Sequence, residues 1–267
     1  SRLATSSSCG AVERGQGRRV TVHFIGAGPG AADLLTIRAV RLIESSLVCV
    51  YAGTYVDAGI LAHCPAGATL IDSQHLDLDQ ITGHLVAAQQ RGEDVARLCS
   101  GDPSIYSALA EQTRRLDAAG VSWDVTPGVP AYAAAAAIIG RELTVPELAQ
   151  TVILTRTQAA STAMPETESL AYLAQTRATL IIHLAIRRIR QICAELTAAY
   201  GPDCPVAVVA NATRPAELVL RGNLLTISDL VENAGLQQAA VIMVGEALHT
   251  EDFAESHLYS KRDRYRQ

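Results

Sequence analysis

The chain has 267 residues, 49% of them hydrophobic, 18% charged and 4% aromatic, with a formal net charge of −5. That length suits one large domain or two small ones around a substantial aliphatic core, and the composition excludes disorder over most of the chain. An acidic chain sets up no cationic field for a nucleic-acid backbone or an anionic membrane, and the longest apolar run, 131–139, is about half a bilayer crossing, so neither nucleic acid nor membrane is an expected partner.

Residues 1–19 hold a serine triplet and the pair Arg18-Arg19 but no signal-peptide stretch, and are expected to form a flexible tail. Residues 20–25 are a β-branched run ending in glycines, the pattern of a strand. Apolar residues at 34, 35, 37, 40, 42 and 43 then follow helical spacing. Residues 47–51 read as a strand, 55–64 and 78–91 as helices, 95–99 as a strand, 104–119 as a helix, 122–126 as a strand and 131–139 as a buried helix. Gly140, Pro146 and several charges interrupt the pattern over 140–148. A second set follows, with strands at 151–155, 178–182, 205–210 and 239–244, a short extra strand near 217–222, and helices at 166–175, 186–200 and 226–234. Strands alternating with helices imply parallel βαβ units. The expected fold class is therefore α/β: two α/β domains, 20–140 and 145–250, with a cleft between them and a C-terminal tail over 251–267.

The six cysteines form no C-x-x-C pair, and no histidine has a ligand partner at metal spacing. A reduced, cytoplasmic protein without a metal site or disulfide framework is expected.

Gly26-Ala27-Gly28-Pro29-Gly30-Ala31 follows the first strand and satisfies G-x-G-x-x-G/A. A dinucleotide site also wants an acid at the end of the second strand, which here reads Val50-Tyr51-Ala52-Gly53, and Pro29 lacks an N–H for a phosphate cradle. A tight turn with no ligand is the plainer alternative. Ser100-Gly101-Asp102-Pro103-Ser104-Ile105-Tyr106 again lies at a strand's carboxyl end, where Asp-Pro also reads as the cap and first residue of the 104–119 helix. Two such turns in one domain point to a shared pocket. Thr126-Pro127-Gly128-Val129-Pro130-Ala131-Tyr132 leads into five alanines, small enough for close helix packing. Arg156, Arg187, Arg188, Arg190, Arg214 and Arg221 could be solvated surface; Arg156 and Arg214, beside strand ends, are placed to meet carboxylates. The residues alone leave open a nicotinamide oxidoreductase and a non-catalytic nucleotide-sensing module.

Ile25-Gly-Ala-Gly-Pro-Gly30, Leu35-Thr36, Tyr51-Ala-Gly53, Ser100-Gly-Asp-Pro103 with Tyr106, Pro127-Gly-Val129 and Gln150-Thr-Val-Ile-Leu-Thr-Arg156 together resemble the tetrapyrrole methylases, from about residue 20 to about 250. The resemblance implies methyl transfer from S-adenosyl-L-methionine (SAM), leaving S-adenosyl-L-homocysteine (SAH), to a ring carbon of a corrin precursor. Pro127-Gly-Val-Pro-Ala131, Met164-Pro-Glu166 and Pro205-Val-Ala-Val-Val209 are most like the branch that methylates C11 of precorrin-4 in cobalamin synthesis, and the metal-free substrate is favoured over its cobalt form. By the same resemblance Pro29, Gly101, Asp102, Ile105, Pro130, Ala131, Leu184 and Ala212 would contact the cofactor. Gly28 would face the tetrapyrrole, with Arg156 and Arg214 on its carboxylates. Tyr51, Asp102 and Tyr106 are the candidates for proton removal, and a homodimer is expected. The chain departs from the family pattern at Cys99, a frequent histidine, and at Arg214 and Ala216, where tryptophan and aspartate are common.

Overall fold

The computed structural model describes residues 20–157 and 164–249, so the expectations for 1–19 and 251–267 lie outside the described residues. The first half runs β1 (Val22–Gly26), α1 (Ile37–Ser45), β2 (Val48–Tyr51), α2 (Ala58–Leu61), β3 (Thr69–Asp72), α3 (Leu78–Gln90), β4 (Val95–Cys99), α4 (Leu109–Ala118) and β5 (Trp123–Thr126). Its strands form one parallel sheet in the order β3-β2-β4-β1-β5. The central strands β1 and β4 are buried along their whole length, as parallel strands with helices on both faces must be. Alternate residues serve opposite faces. Phe24, Val50 and Val95 pack with Leu85 of α3 and Leu116 of α4, while Ile25, Cys49 and Ala96 pack with Ile43 of α1 and Ile60 of α2. Helix starts follow local chemistry. Thr36 Oγ1 accepts from the Ala39 amide at 3.1 Å, and Asp77 and Gln80 cap each other's backbone reciprocally.

Three features of this half differ from the sequence reading, the first being that the helix expected over 55–64 is confined to Ala58–Leu61. β3 was not foreseen; it is an edge strand with three of four residues exposed, so no apolar pattern marks it. The helix expected over 104–119 starts at Leu109, because Tyr106 and Ala108 take left-handed conformations (φ 53° and 54°) and residues 100–108 form a loop.

The second half comprises α5 (Ala131–Ile139), β6 (Val152–Arg156), α6 (Leu170–Ala174), β7 (Thr179–His183), α7 (Ile189–Tyr200), β8 (Pro205–Ala210), β9 (Leu218–Asn223), α8 (Ile227–Asn233) and β10 (Ala240–Val244). Its sheet has the order β6-β7-β10-β8-β9. The expectation of parallel pairing holds only for β6 and β7; β10 is antiparallel to both β7 and β8, and β8 is antiparallel to β9. The physical reason is connectivity. No helix lies between β8 and β9, so the chain returns as a hairpin. β7 and β8, joined through α7, do run the same way, but β10 is inserted between them.

Leu196 of α7 and Ile227 of α8 cover one face of this sheet with Ile182, Val208 and Ile242. The other face, with Ile181, Val209, Val241 and Met243, is covered by Ala134, Ala135 and Ile139 of α5. The helix that the sequence groups with the first half thus packs on the second sheet. Among the described residues no helix is long and apolar enough to cross a membrane.

Candidate active site

Three loops leave the carboxyl ends of β1, β4 and β5 and lock together through main chain. The Gly28 amide donates to Gly101 O at 3.1 Å and the Gly101 amide to Gly28 O at 2.8 Å, both glycines at positive φ (72° and 66°). A Cβ placed on Gly26 would lie 2.9 Å from Gly101 O, and one on Gly128 would lie 2.7 Å from Gly26 Cα. Glycine at 26 and 128 therefore serves close packing of loops. Because Gly28 spends its N–H on Gly101, it does not offer that donor to a pyrophosphate.

Asp102 ties this arrangement. One carboxylate oxygen accepts from the Ser104 amide at 2.8 Å and from the Ser104 hydroxyl; the other accepts from the Gly128 amide at 2.8 Å. Burial pushes the carboxyl up, but these donors outweigh it and hold it below the usual carboxylate range. The reading of Asp102 as cap of the following helix is corrected: the α4 N-cap is Ala108, which makes no side-chain cap bond, and Asp102 holds the β4 loop to the β5 loop instead.

The loops form one wall of a cleft of about 670 Å³ between the two sheets, within the size range of ligand sites. Pro29, Gly101, Asp102, Ile105, Tyr106, Pro130 and Ala131 line it from the first side, and Leu184, Ala212 and Arg214 from the second. Leu184, directly after β7, is held at φ 54° and left 70% exposed. The halves are also stitched at the rim. The Ala31 amide donates to Thr213 Oγ1 at 2.9 Å and Arg214 Nη1 to Thr54 O at 3.0 Å. A Cβ on Gly30 would lie 2.6 Å from Arg214 Cγ.

Three expected site residues are not on the wall. Gly28 lies behind it, paired with Gly101. The Tyr51 carbonyl accepts from the Ser73 amide at 2.7 Å and hydroxyl at 2.9 Å, and its side chain packs against the cluster around Ile25, which accounts for it structurally. Arg156 ends β6 outside the lining, close enough to Tyr106 to oppose the upward push of burial on that phenol.

Among the wall residues that escaped the sequence reading, two carry titratable side chains of particular interest. Arg97 comes from within β4. His183 ends β7, with its ring centroid 5.7 Å from that of Tyr106 and 6.5 Å from that of Tyr132, and its buried Nε2 has no hydrogen-bond partner. The strand-end rule that found Gly101 would have found His183. Burial lowers the His183 pKa, so the ring is neutral at pH 7. A folded-state pKa below the unfolded value gives stability that is present above the unfolded value, near 6.5, and lost as pH falls through the folded one. His183→Phe is therefore expected to fall less in Tm than the parent between pH 7.5 and pH 5. Parallel slopes in thermal melts would show that His183 does not carry this term.

Among the described residues no group of three or more His, Cys, Asp or Glu is arranged to hold a metal ion. The wall, small and apolar apart from a few arginines, instead suits an organic ligand. A profile of the Tetrapyrrole (Corrin/Porphyrin) Methylases matches residues 21–228. The chain belongs to this family. Over 241 residues the methylase is 57% identical to a precorrin-4 C(11)-methyltransferase of Rhodococcus erythropolis, covering 90% of this chain and 97% of that one. Among solved structures, it matches a cobalt precorrin-4 methyltransferase of cobalamin biosynthesis with a TM-score of 0.84 at 34% identity, covering 90% and 99% of the two chains. It also matches a uroporphyrin-III C-methyl transferase from Thermus thermophilus complexed with S-adenyl homocysteine, with a TM-score of 0.72 at 26% identity, covering 86% and 93%.

Proposed function

We propose that this methylase transfers a methyl group from SAM to C11 of precorrin-4, giving precorrin-5 in cobalamin biosynthesis. The observation that carries the reading is convergence. Every position expected by resemblance to touch the cofactor, from Pro29 and Gly101 to Leu184 and Ala212, lines a single cleft of ligand size. Identity of 57% to the precorrin-4 C(11)-methyltransferase of Rhodococcus, against 39% to a cobalt-precorrin-4 C(11)-methyltransferase of Methanocaldococcus jannaschii, favours the metal-free substrate. A nicotinamide enzyme finds no support where the Gly28 N–H is spent on Gly101.

When bound, SAM supplies an electrophilic methyl group on a sulfonium for in-line transfer to a ring carbon. The protein's part is alignment and exclusion of water. Gly101, Asp102, Ile105, Pro130 and Ala131 would hold the cofactor from one side and Leu184 and Ala212 from the other. Asp102 is a positioning residue, because its two oxygens are engaged by Ser104 and Gly128. Tyr106, 47% exposed in the cleft beside the neutral His183, is free to contact the macrocycle. Arg214 would meet its carboxylates from the rim. The reading includes a cytoplasmic homodimer, in keeping with the resemblance and with the prevalence of two-fold dimers.

Calorimetry is expected to detect SAH binding and no NAD binding. Incubation with methyl-labelled SAM and enzymatically generated precorrin-4 is expected to place the label on C11, read by NMR of the product. Preference for NAD, or label at another ring position, would overturn the reading.

A further inference from the structure

Among the described residues, Arg97 is a buried cation without a counter-charge. It lies in a strand whose five residues are all buried, and is itself 8% exposed. Its Nε donates to Gln112 Oε1 at 3.0 Å. Nη1 reaches Val50 O at 3.4 Å, Ser73 Oγ at 3.3 Å and Leu98 O at 3.4 Å, three long contacts to neutral acceptors. Among the described residues Nη2 has no hydrogen-bond acceptor and no carboxylate pairs with the guanidinium. Burial pulls the Arg97 pKa down. Leaving a charge buried and unpaired costs several kcal/mol by the usual scale.

The same residue forms part of the cleft wall. Asp102 is the one carboxylate among the described lining residues, and it is taken up by Ser104 and Gly128. Among the described residues two other wall cations are also without acid partners: Arg187 Nε donates to Gln237 O at 3.0 Å and Arg214 Nη1 to Thr54 O at 3.0 Å. In a chain of net charge −5, the cleft is a local concentration of positive charge. A guanidinium with a free Nη2 beside a cleft matches a carboxylate, which can take two of its N–H groups in a fork.

We propose that Arg97 is a buried anchor for a carboxylate of a ligand that enters the cleft. The identity of that ligand rests on the functional reading above: the acetate and propionate arms of the tetrapyrrole and the amino-acid carboxylate of SAM carry the same chemistry. Two titrations separate them. Uroporphyrin III, a stable carboxylate-rich porphyrin, is titrated by fluorescence and SAH by calorimetry, against the parent, Arg97→Gln and Arg97→Lys. Arg97→Gln is expected to weaken one of the two at least ~10-fold and leave the other within about twofold. Arg97→Lys, which keeps the charge and loses the fork, is expected to weaken the same ligand by less. Loss confined to uroporphyrin assigns the anchor to the tetrapyrrole, and loss confined to SAH assigns it to the cofactor. If Arg97→Gln does not fold, Arg97→Lys is read in the same two titrations.

Unchanged affinity for both ligands in a folded variant would overturn the anchor. So would equal loss of both with a lowered Tm, which marks a purely structural arginine. A parent that binds neither ligand would overturn the functional reading and the anchor together, whereas a parent that binds both while the variants change neither overturns the anchor alone.

Discussion

Asp102→Ala is expected to cut kcat/KM at least ~100-fold and to lower stability by about 2 kcal/mol. The substitution strands the Ser104 amide, the Ser104 hydroxyl and the Gly128 amide at once, and releases the β4 loop from the β5 loop beside the cofactor positions. As a helix cap, Asp102 would tolerate asparagine, which caps about as well as aspartate. The observed contacts do not allow that. Both oxygens face backbone N–H groups, so either orientation of an asparagine amide sets its NH₂ against the amide of Ser104 or of Gly128. Asp102→Asn is therefore expected to fall between the parent and Asp102→Ala in both Tm and kcat/KM. An Asn variant that melts and turns over like the parent would show that the tie to Gly128 contributes nothing.

Gly128→Ala is expected to be strongly damaging for a single added methyl group. The new Cβ would press on Gly101 O and lie 2.7 Å from Gly26 Cα. Both are backbone atoms, with no flexible side chain to swing aside. Overpacking costs roughly 1–3 kcal/mol where side chains absorb it, and more where they cannot; a loss of about 3 kcal/mol lowers Tm by roughly 6–12 °C for a chain of this size. SAH affinity should fall with it, because Pro130 and Ala131 follow on the displaced loop. Gly83→Ala is the control. Gly83 lies in α3 with nothing within 4 Å of an added Cβ, and alanine there should be neutral or stabilising by up to ~1 kcal/mol. Equal melting of the two variants would show that the three-loop junction is looser than its spacing implies.

Elements with a strong local signal were legible in the sequence. The helix over 131–139 is bounded by Pro130 and Gly140, and the strand over 205–210 is a bounded apolar run; both have the expected limits. β3 was not legible, since an exposed edge carries no burial pattern, and neither was the insertion of β10, since strand order is a property of tertiary packing. At the site, Gly101 and Asp102 stood out because turns after parallel strands gather at one edge of a sheet. Leu184 and Ala212 came only through resemblance, for neither has a local signature. Tyr51 was a candidate by position in sequence, and its backbone pairing with Ser73 explains its place without chemistry. Arg97 was hidden because a single polar residue within an apolar run still reads as strand. What distinguishes it is the acid it lacks, and that is visible only in three dimensions.

α5 has a consequence for how the chain can be divided. It begins directly after the loop that leaves the first sheet, yet its alanines cover Ile181, Val209 and Met243 of the second. A fragment ended at residue 140 would carry a greasy helix with nothing to lie on. A fragment begun at 145 would present one bare face of its sheet to water, an invitation to aggregate. The molecule therefore offers no clean place to cut: its halves are distinct in architecture but not self-sufficient, and an exchange of modules between relatives would have to move this helix with the sheet it covers rather than with the strands it follows.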